Sequence, residues 1–405
     1  MRSPVRVLRC CAAIALVALL DGPAQAQGAP VDTTATRELV SRLDLERYKT
    51  TLTGLTQFGD RRQGTDRNRA AVDWIEAQLK SYGCTNTERI TYDFQPPTPA
   101  APRQPSASGA SLRLPTAAPG GARLRGTLMP IGVNSDSLAQ PDTRLRALNA
   151  QPSSPGQRQE VYCTKVGVSH PEEMYIVGAH MDGIGWGEAA NDDGSGTALV
   201  MELARVFSSP DVQTERSIRF ILWNNEETGL NGARAYVQQR QERQGKEDPA
   251  GSRRYPEPRW LGMIQHDMML FDHGMPRPDG TMGRDQRPEA DVNIEFQSGA
   301  KMAAGAQQLA WAFASANEKY ATDYPATVGQ HMTNTDSAPF QDIIPAISLR
   351  ENERGAQIGA GWDPQWHQPT DRLSTYSDKD FRLGLNAAQT TLGGIAQLAG
   401  ATLRK

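Results

Sequence analysis

Along this chain two hydrophobic patterns take turns. In one, apolar residues recur every three or four positions; in the other, they crowd into short, nearly unbroken runs. The first pattern opens at residues 32–48, where Leu39, Leu43 and Leu45 sit among charges and predict a helix. It is clearer over 65–81: Thr65 is a candidate N-cap, Ala70, Val72, Trp74, Ile75 and Leu79 make one apolar face, and Gly83 ends the segment. Residues 87–94 alternate as a strand does. Beyond residue 158 the two patterns interleave. Strands are predicted at 159–166, 174–180, 217–223, 261–267 and 346–349, and helices at 196–207, 230–240, 303–318 and 379–398. Buried strands separated by helices predict an α/β fold, with a mostly parallel, mixed central sheet and helices on both faces.

The pattern fails over residues 95–157. Pro96, Pro97, Pro99, Pro102 and Pro105 are followed by Ser, Ala and Gly, with at most a short strand at 124–133. This composition reads as an inserted loop or disordered segment, the alternative being a lid over a site. The N-terminus carries a third pattern. Arg2, Arg6 and Arg9 precede an apolar run at 10–20, and Ala24-Gln25-Ala26 forms a small-x-small site. The run is short of the roughly 20 residues that a spanning helix needs, so 1–26 reads as a cleaved secretory signal. The organisation is therefore 1–26 signal, 27–94 first part of a catalytic domain, 95–157 insertion and 158–405 main part, in a secreted or periplasmic protein with no membrane attachment after cleavage.

Composition changes the picture in two places. A formal charge of −3 gives no reason to expect a nucleic-acid partner. Of four cysteines, Cys10 and Cys11 lie in the signal, leaving Cys84 and Cys163. If the strands near 87 and 163 pair antiparallel, these two form a candidate disulfide in an oxidising compartment; two separate thiols are the alternative.

The candidate chemistry stands where predicted strands end. Past 174–180 come His180-Met181-Asp182, then Asn191-Asp192-Asp193-Gly194-Ser195-Gly196 before a helix. Past 217–223 come Asn224-Asn225-Glu226-Glu227, and residues 261–267 close on His266-Asp267. Trp366-His367-Gln368-Pro369-Thr370-Asp371 lies near the C-terminus. Each fragment alone is weak, since a lone histidine or a Glu-Glu pair is ordinarily structural or solvated. Together they gather imidazoles and carboxylates, without thiolates, on one edge of an α/β sheet, where such folds build sites. That donor set suits zinc. Two histidines and three carboxylates are too many for one tetrahedral ion that keeps a water, and fit two ions about 3.5–4 Å apart sharing a carboxylate.

The segments Val177-Gly178-Ala179-His180-Met181-Asp182 and Ala190-Asn191-Asp192-Asp193-Gly194-Ser195-Gly196-Thr197 resemble the co-catalytic zinc aminopeptidases of clan MH. That family also includes plasma glutamate carboxypeptidase and the glutaminyl cyclases. The resemblance runs from about residue 58 to the C-terminus, outside the insertion, and implies the phosphorylase/hydrolase-like fold of zinc-dependent exopeptidases. It further implies His180 as a ligand of one zinc and Asp192 as the bridging ligand, followed by a cis peptide bond to Asp193. Glu227 and Asp267 become ligands, one to each metal, and His367 the last ligand. Glu226 becomes the general base and Asp182 the group that orients His180. Asp336, in Thr335-Asp336-Ser337, resembles a site-proximal Ser-Asp-His motif. Two positions depart from the family: Trp366 stands where tyrosine is frequent, and Ser337 where histidine is common. His170, His266, His273 and His331 match no ligand motif and read as structural or surface residues.

The function so implied is a secreted metallo-exopeptidase, an aminopeptidase acting on peptides with a water activated by two Zn2+ ions, Co2+ or Mn2+ being alternatives. Rival readings are a carboxypeptidase or dipeptidase on the same scaffold, a glutaminyl cyclase, and a metal-free binding domain. A carboxypeptidase needs a cation for the terminal carboxylate, and Arg350 and Arg354 are the candidates near the site.

Overall fold

A computed structural model describes residues 33–96, 132–271, 292–330, 334–351 and 363–404. The signal segment, positions 97–131 of the insertion, nearly all of the 124–133 strand, Arg354, His273 and His331 lie outside the described residues.

Eight strands form one sheet: β1 (Glu88–Phe94), β2 (Gly156–Lys165), β3 (His170–His180), β5 (Arg216–Trp223), β6 (Arg259–His266), β7 (Val292–Glu295), β8 (Ala326–Gly329) and β9 (Ala346–Arg350), in the order β1-β2-β5-β3-β6-β9-β7-β8. The central run β5-β3-β6-β9 is parallel, and antiparallel pairs at β1/β2, β2/β5 and β7/β9 flank it. Two short strands, β4 (Val212–Gln213) and β10 (Thr402–Leu403), pair separately.

Though the central strands read as continuous apolar runs, their side chains still alternate between two cores. On one face Ile218, Phe220 and Leu222 of β5 and Val177 and Ala179 of β3 meet helices α1 (Thr33–Ser41), α2 (Leu45–Thr56), α3 (Asp66–Ser81), α5 (Gly196–Phe207), α7 (Ala303–Tyr320) and α8 (Asp378–Leu398). On the other, Ile221, Trp223, Met174 and Ile176 pack with Tyr236 of α6 (Asn231–Arg240), Trp260 and Phe340. Burial on both faces is what makes parallel strands lose a visible polar alternation. Gly178 serves this packing, because a Cβ there would lie 2.3 Å from the Trp223 indole nitrogen.

Three expectations are revised. The single helix at 32–48 is two: Asp44 accepts from the Arg47 backbone N–H at 2.9 Å and caps a new helix, so α1 stops at Ser41. The end of the insertion is ordered, with helix α4 (Thr143–Asn149) capped by Asp142 and β2 beginning at Gly156. Strands β7 and β8 went unnoticed, each being four residues long at one margin of the sheet. Cys84 and Cys163 are disulfide-bonded, with Cα atoms 6.1 Å apart.

Candidate active site

Parallel register explains the convergence of the chemistry. His180 pairs with Trp223, Ala179 with His266, and His266 with Leu349, so β3, β5, β6 and β9 end nearly level. The residues just past those ends, Asp182, Glu226, Glu227, Asp267 and Arg350, therefore emerge on one edge. Asp192 and Asp193 belong to the turn into α5, their peptide bond is cis, and His367 comes from a loop that crosses this edge.

Asp192 stands between the two imidazoles. Its Oδ1 lies 3.2 Å from His180 Nε2 and its Oδ2 lies 3.0 Å from His367 Nε2. Asp267 Oδ1 is 3.8 Å from His180 Nε2, and Glu227 Oε2 is 2.9 Å from His367 Nε2. By closest approach these contacts set His180 with Asp192 and Asp267, and His367 with Asp192 and Glu227; donor atoms of His180, Asp192 and Glu227 also lie within 4.8 Å of one another. Glu226 lies alongside, its carboxylate within 4.8 Å of donor atoms of His180 and Asp267.

Several atoms here converge without hydrogen-bonding one another. Among the described residues, His367 Nε2, despite its two close carboxylates, makes no hydrogen bond, and Glu227 Oε1 has none either. Buried polar atoms left this way cost stability unless something else satisfies them. A pair of divalent ions would satisfy them, and an imidazole–carboxylate donor set without thiolates fits zinc.

The surroundings fix each donor. His180 Nδ1 donates to the Asp182 backbone carbonyl at 2.9 Å, which leaves Nε2 facing Asp192. Asp182 therefore touches His180 through its main chain. Its carboxylate, 3.9 Å from that ring, instead accepts from the Glu226 backbone N–H at 3.0 Å. Asp193 Oδ2 accepts from the His180 N–H at 3.1 Å, and its Oδ1 from Gly196 and Met268 at 2.9 and 3.1 Å, tying β3, α5 and the end of β6 together. Asp336 is buried nearby, its Oδ2 3.5 Å from Gln265 Nε2 and its Oδ1 without a partner. Trp366 stacks on the His367 ring, with centroids 3.9 Å apart.

Charge follows from burial and neighbours. Burial pushes the Asp267 carboxyl up, but Arg350, in contact with its Oδ2, and His180 outweigh this and hold it at about 2. Burial drives Glu227 up to about 7, with His367 only partly offsetting the rise. For Glu226, burial raises the carboxyl well above its ordinary range; His180 pulls it back, while Asp336, Glu227 and Asp267 add to the rise. Burial lowers His367, but the Glu227 and Asp192 carboxylates prevail and lift it to about 10.

Sequence reasoning missed four supporting residues. Arg61, fully buried, donates to the carbonyls of Gly59, Met181, Glu188 and Ala189, pinning the loop after His180. Asp371 accepts from the backbone N–H groups of Asn191 and Asp192 at 2.8 and 3.2 Å and so fixes the bridging turn. Gln140 and Asn149 reach the site from the insertion. Asp371 alone carried a signal, standing four residues past His367. Of the unassigned histidines, His266 is buried against Thr391 and Gly178, with its pKa lowered by burial to about 4, and His170 is exposed.

Comparison with known proteins agrees with this architecture. Aminopeptidase YwaD of Bacillus subtilis is 40% identical over 79 residues, 20% of this chain and 17% of that protein. The probable lipoprotein aminopeptidase LpqL of Mycobacterium tuberculosis is 27% identical over 261 residues, 62% of this chain and 47% of that protein. The matches thus span under half the length of either relative. Among solved structures, the aminopeptidase from Aneurinibacillus sp. strain AM-1 shares the fold at a TM-score of 0.59 and 21% identity, covering 90% of this chain and 96% of that one. Porphyromonas gingivalis glutaminyl cyclase shares it at a TM-score of 0.53 and 14% identity, over 88% and 99% of the two chains. Residues 161–389, more than half of the sequence and the part that holds every metal-ligand candidate, match the pattern of peptidase family M28, and the chain belongs to that family.

Proposed function

We propose that this protein is a zinc metallopeptidase that removes residues from the amino end of peptides, with two metal ions sharing Asp192. The observation that carries the reading is the division of Asp192, one oxygen toward His180 and the other toward His367. In this reading His180 and Asp267 hold one ion and Glu227 and His367 the other; cobalt or manganese would suit the same donors. When bound, such ions lower the pKa of water to roughly 7 and polarise a carbonyl.

The protein's own groups do the rest. The bond from His180 Nδ1 to the Asp182 carbonyl keeps the ring in the tautomer whose Nε2 is free to ligate. Glu226 acts as general base: it takes the proton from the attacking water and returns it to the departing amine. Its backbone is held by the Asp182 carboxylate, which supports a fixed position beside the donors. Asp336 sits behind this base as a further acidic neighbour. Arg350 is buried and committed to Asp267, with Glu295 3.9 Å away, so it does not offer the cation that a terminal carboxylate would require. The ring of carboxylates suits a substrate ammonium instead. We further read residues 27–94 and 158–405 as one catalytic domain in an exported chain. The disulfide supports an oxidising compartment, and among the described residues no helix is long and apolar enough to cross a membrane.

A matched peptide pair tests the direction of attack. One peptide has a free N-terminus and an amidated C-terminus, the other an acetylated N-terminus and a free C-terminus. Cleavage of the first alone is expected. Cleavage of the second alone would move the assignment to a carboxypeptidase, and cyclisation of an N-terminal glutamine without cleavage would move it to a cyclase.

A further inference from the structure

The described end of the insertion, residues 132–149, is fastened to the loop that presents His367. The Asn134 backbone N–H donates to the His367 carbonyl at 3.0 Å, and Gln368 Nε2 donates to the Gly132 carbonyl at 3.0 Å. Deeper in, Gln140 is fully buried, and its amide nitrogen donates to two carbonyls at once, Trp186 at 2.8 Å and Pro369 at 2.9 Å. Those carbonyls belong to different loops: residues 183–189 follow His180 and Asp182, and residues 366–371 carry His367. The loops meet backbone to backbone, for a Cβ on Gly185 would lie 2.3 Å from the His367 carbonyl carbon. Asn149 completes the attachment, donating to the Gly187 carbonyl at 2.7 Å and accepting from the Asp60 N–H at 3.1 Å.

His367 needs such support more than the other donors do. It has a left-handed backbone, φ 57°, which costs free energy in a residue with a Cβ. Its ring Nδ1 has no hydrogen-bond partner among the described residues, whereas His180 Nδ1 is anchored. A primary amide has two N–H donors, and both of Gln140's go to the seam between the loops.

We infer that the strap 132–149, acting through Gln140, is a positioning element for His367 and sets the affinity of the metal that His367 and Glu227 would hold. This rests on the two-metal reading above. Among the described contacts the strap reaches the His367 backbone directly, and the His180 half only through the 183–189 loop beyond Asp182, so its influence falls mainly on the His367 half.

Zinc titration of the full-length, chelator-stripped protein tests this, with the His367 step assigned by its loss in His367→Ala. Gln140→Met keeps the length and removes both donors; Gln140→Glu keeps the shape and sets oxygen against two carbonyls. In either variant the His367 step is expected to weaken on the order of 10–100-fold while the other stays within about threefold, the range for lost outer partners of a ligand. Equal weakening of both steps, tracking a fall in melting temperature, overturns the inference in favour of a merely structural role. Unchanged affinities overturn it as well. Should both Gln140 variants fail to fold, Asn134→Pro, at a partly exposed position, deletes the single N–H that reaches the His367 carbonyl. A selective loss at the His367 step is expected there, and equal or unchanged steps again overturn the inference. A wild type that lacks two zinc steps sinks the metal-pair reading together with this one, whereas two wild-type steps unmoved by the variants sink this one alone.

Discussion

The two halves of the candidate metal centre are built differently. His180 and Asp267 stand at the ends of adjacent parallel strands, and each is backed by a group committed to it: the Asp182 carbonyl behind the imidazole, Arg350 behind the carboxylate. The His180 side chain is 1% exposed. His367 comes from a loop, and Glu227 from the turn that follows the end of β5. The His367 side chain is 9% exposed, and among the described residues its Nδ1 and Glu227 Oε1 have no hydrogen-bond partner. One half is preformed by the sheet; the other joins a residue beyond a strand end, Glu227, to a loop residue, His367, held by loop packing and by a strap from a distant segment. Strand ends supply stiffness and loops supply adjustability, so the two halves should bind metal unequally and respond unequally to perturbation.

Metal removal probes the comparison most strongly. Graded chelation of the purified protein is expected to strip the His367 half first and to end peptidase activity altogether once both ions are gone, and activity in a fully metal-free sample would sink the functional reading. Next in size is Glu226→Gln, which should cut turnover by about 10²–10⁴-fold, the range for a lost general acid–base group, with zinc content near two equivalents. Loss of an ion in that variant would instead make Glu226 a ligand.

Arg350→Met addresses the stiffness of the first half. It leaves the Asp267 carboxylate buried without its guanidinium, and breaking a buried pair in this way costs about 3–5 kcal/mol. Denaturant unfolding of the metal-free variant should show a loss of that order, and the His180 step of a zinc titration should weaken. A change below about 1 kcal/mol, the value of an exposed pair, would mean that Arg350 does not stiffen this half.

The same division governs what the chain discloses in its sequence. Gly196–Phe207, where the helix falls on the residues expected, and the strand ends carrying His180, Glu226 and Asp267 are set by local periodicity and by turn residues within a few positions. What stayed hidden acts across long separations. Arg61 reaches Met181 and Ala189, and Gln140 reaches Pro369, through backbone carbonyls that every residue possesses and no motif can flag. The role of Asp182 was half legible for a related reason: its proximity to His180 follows from spacing, but which of its oxygens the ring meets depends on the loop fold. Helix α4 escaped because a prolyl, small-residue segment precedes it, and about two turns of helix with little apolar face give a weak periodic signal.

The smallest expected effect is one of pH, and it separates the halves by their protons. Metal binds deprotonated ligands, so each proton that must leave makes the apparent affinity fall about tenfold per unit of acidification. In the His180 half the histidine pKa is raised; burial opposes the charge, but Glu226, Asp192 and Asp267 outweigh it. Asp267, held at about 2, is ionised throughout the neutral range. One proton leaves there. In the other half His367, lifted to about 10, gives up one proton, and Glu227, at about 7, gives up a second once the pH drops below that value. The sign for the metal-free protein follows from the same shifts. The His367 pKa is raised above its unfolded value, so the stability it contributes is complete below about 6.5 and disappears as pH rises through 10. Zinc titrations at pH 6 and pH 8 should therefore differ in more than position. Above pH 7 the His367 step weakens by about tenfold per unit of acidification; below pH 7 it weakens more steeply, toward 100-fold per unit, while the His180 step, with one proton to lose, weakens by at most about tenfold per unit, and the gap between the two affinities widens. Calorimetry in buffers of different ionisation enthalpy counts the protons directly. A gap that stays constant from pH 8 to 6, or an equal proton count in both steps at pH 6, would mean that the two halves do not differ in the protonation of their carboxylates.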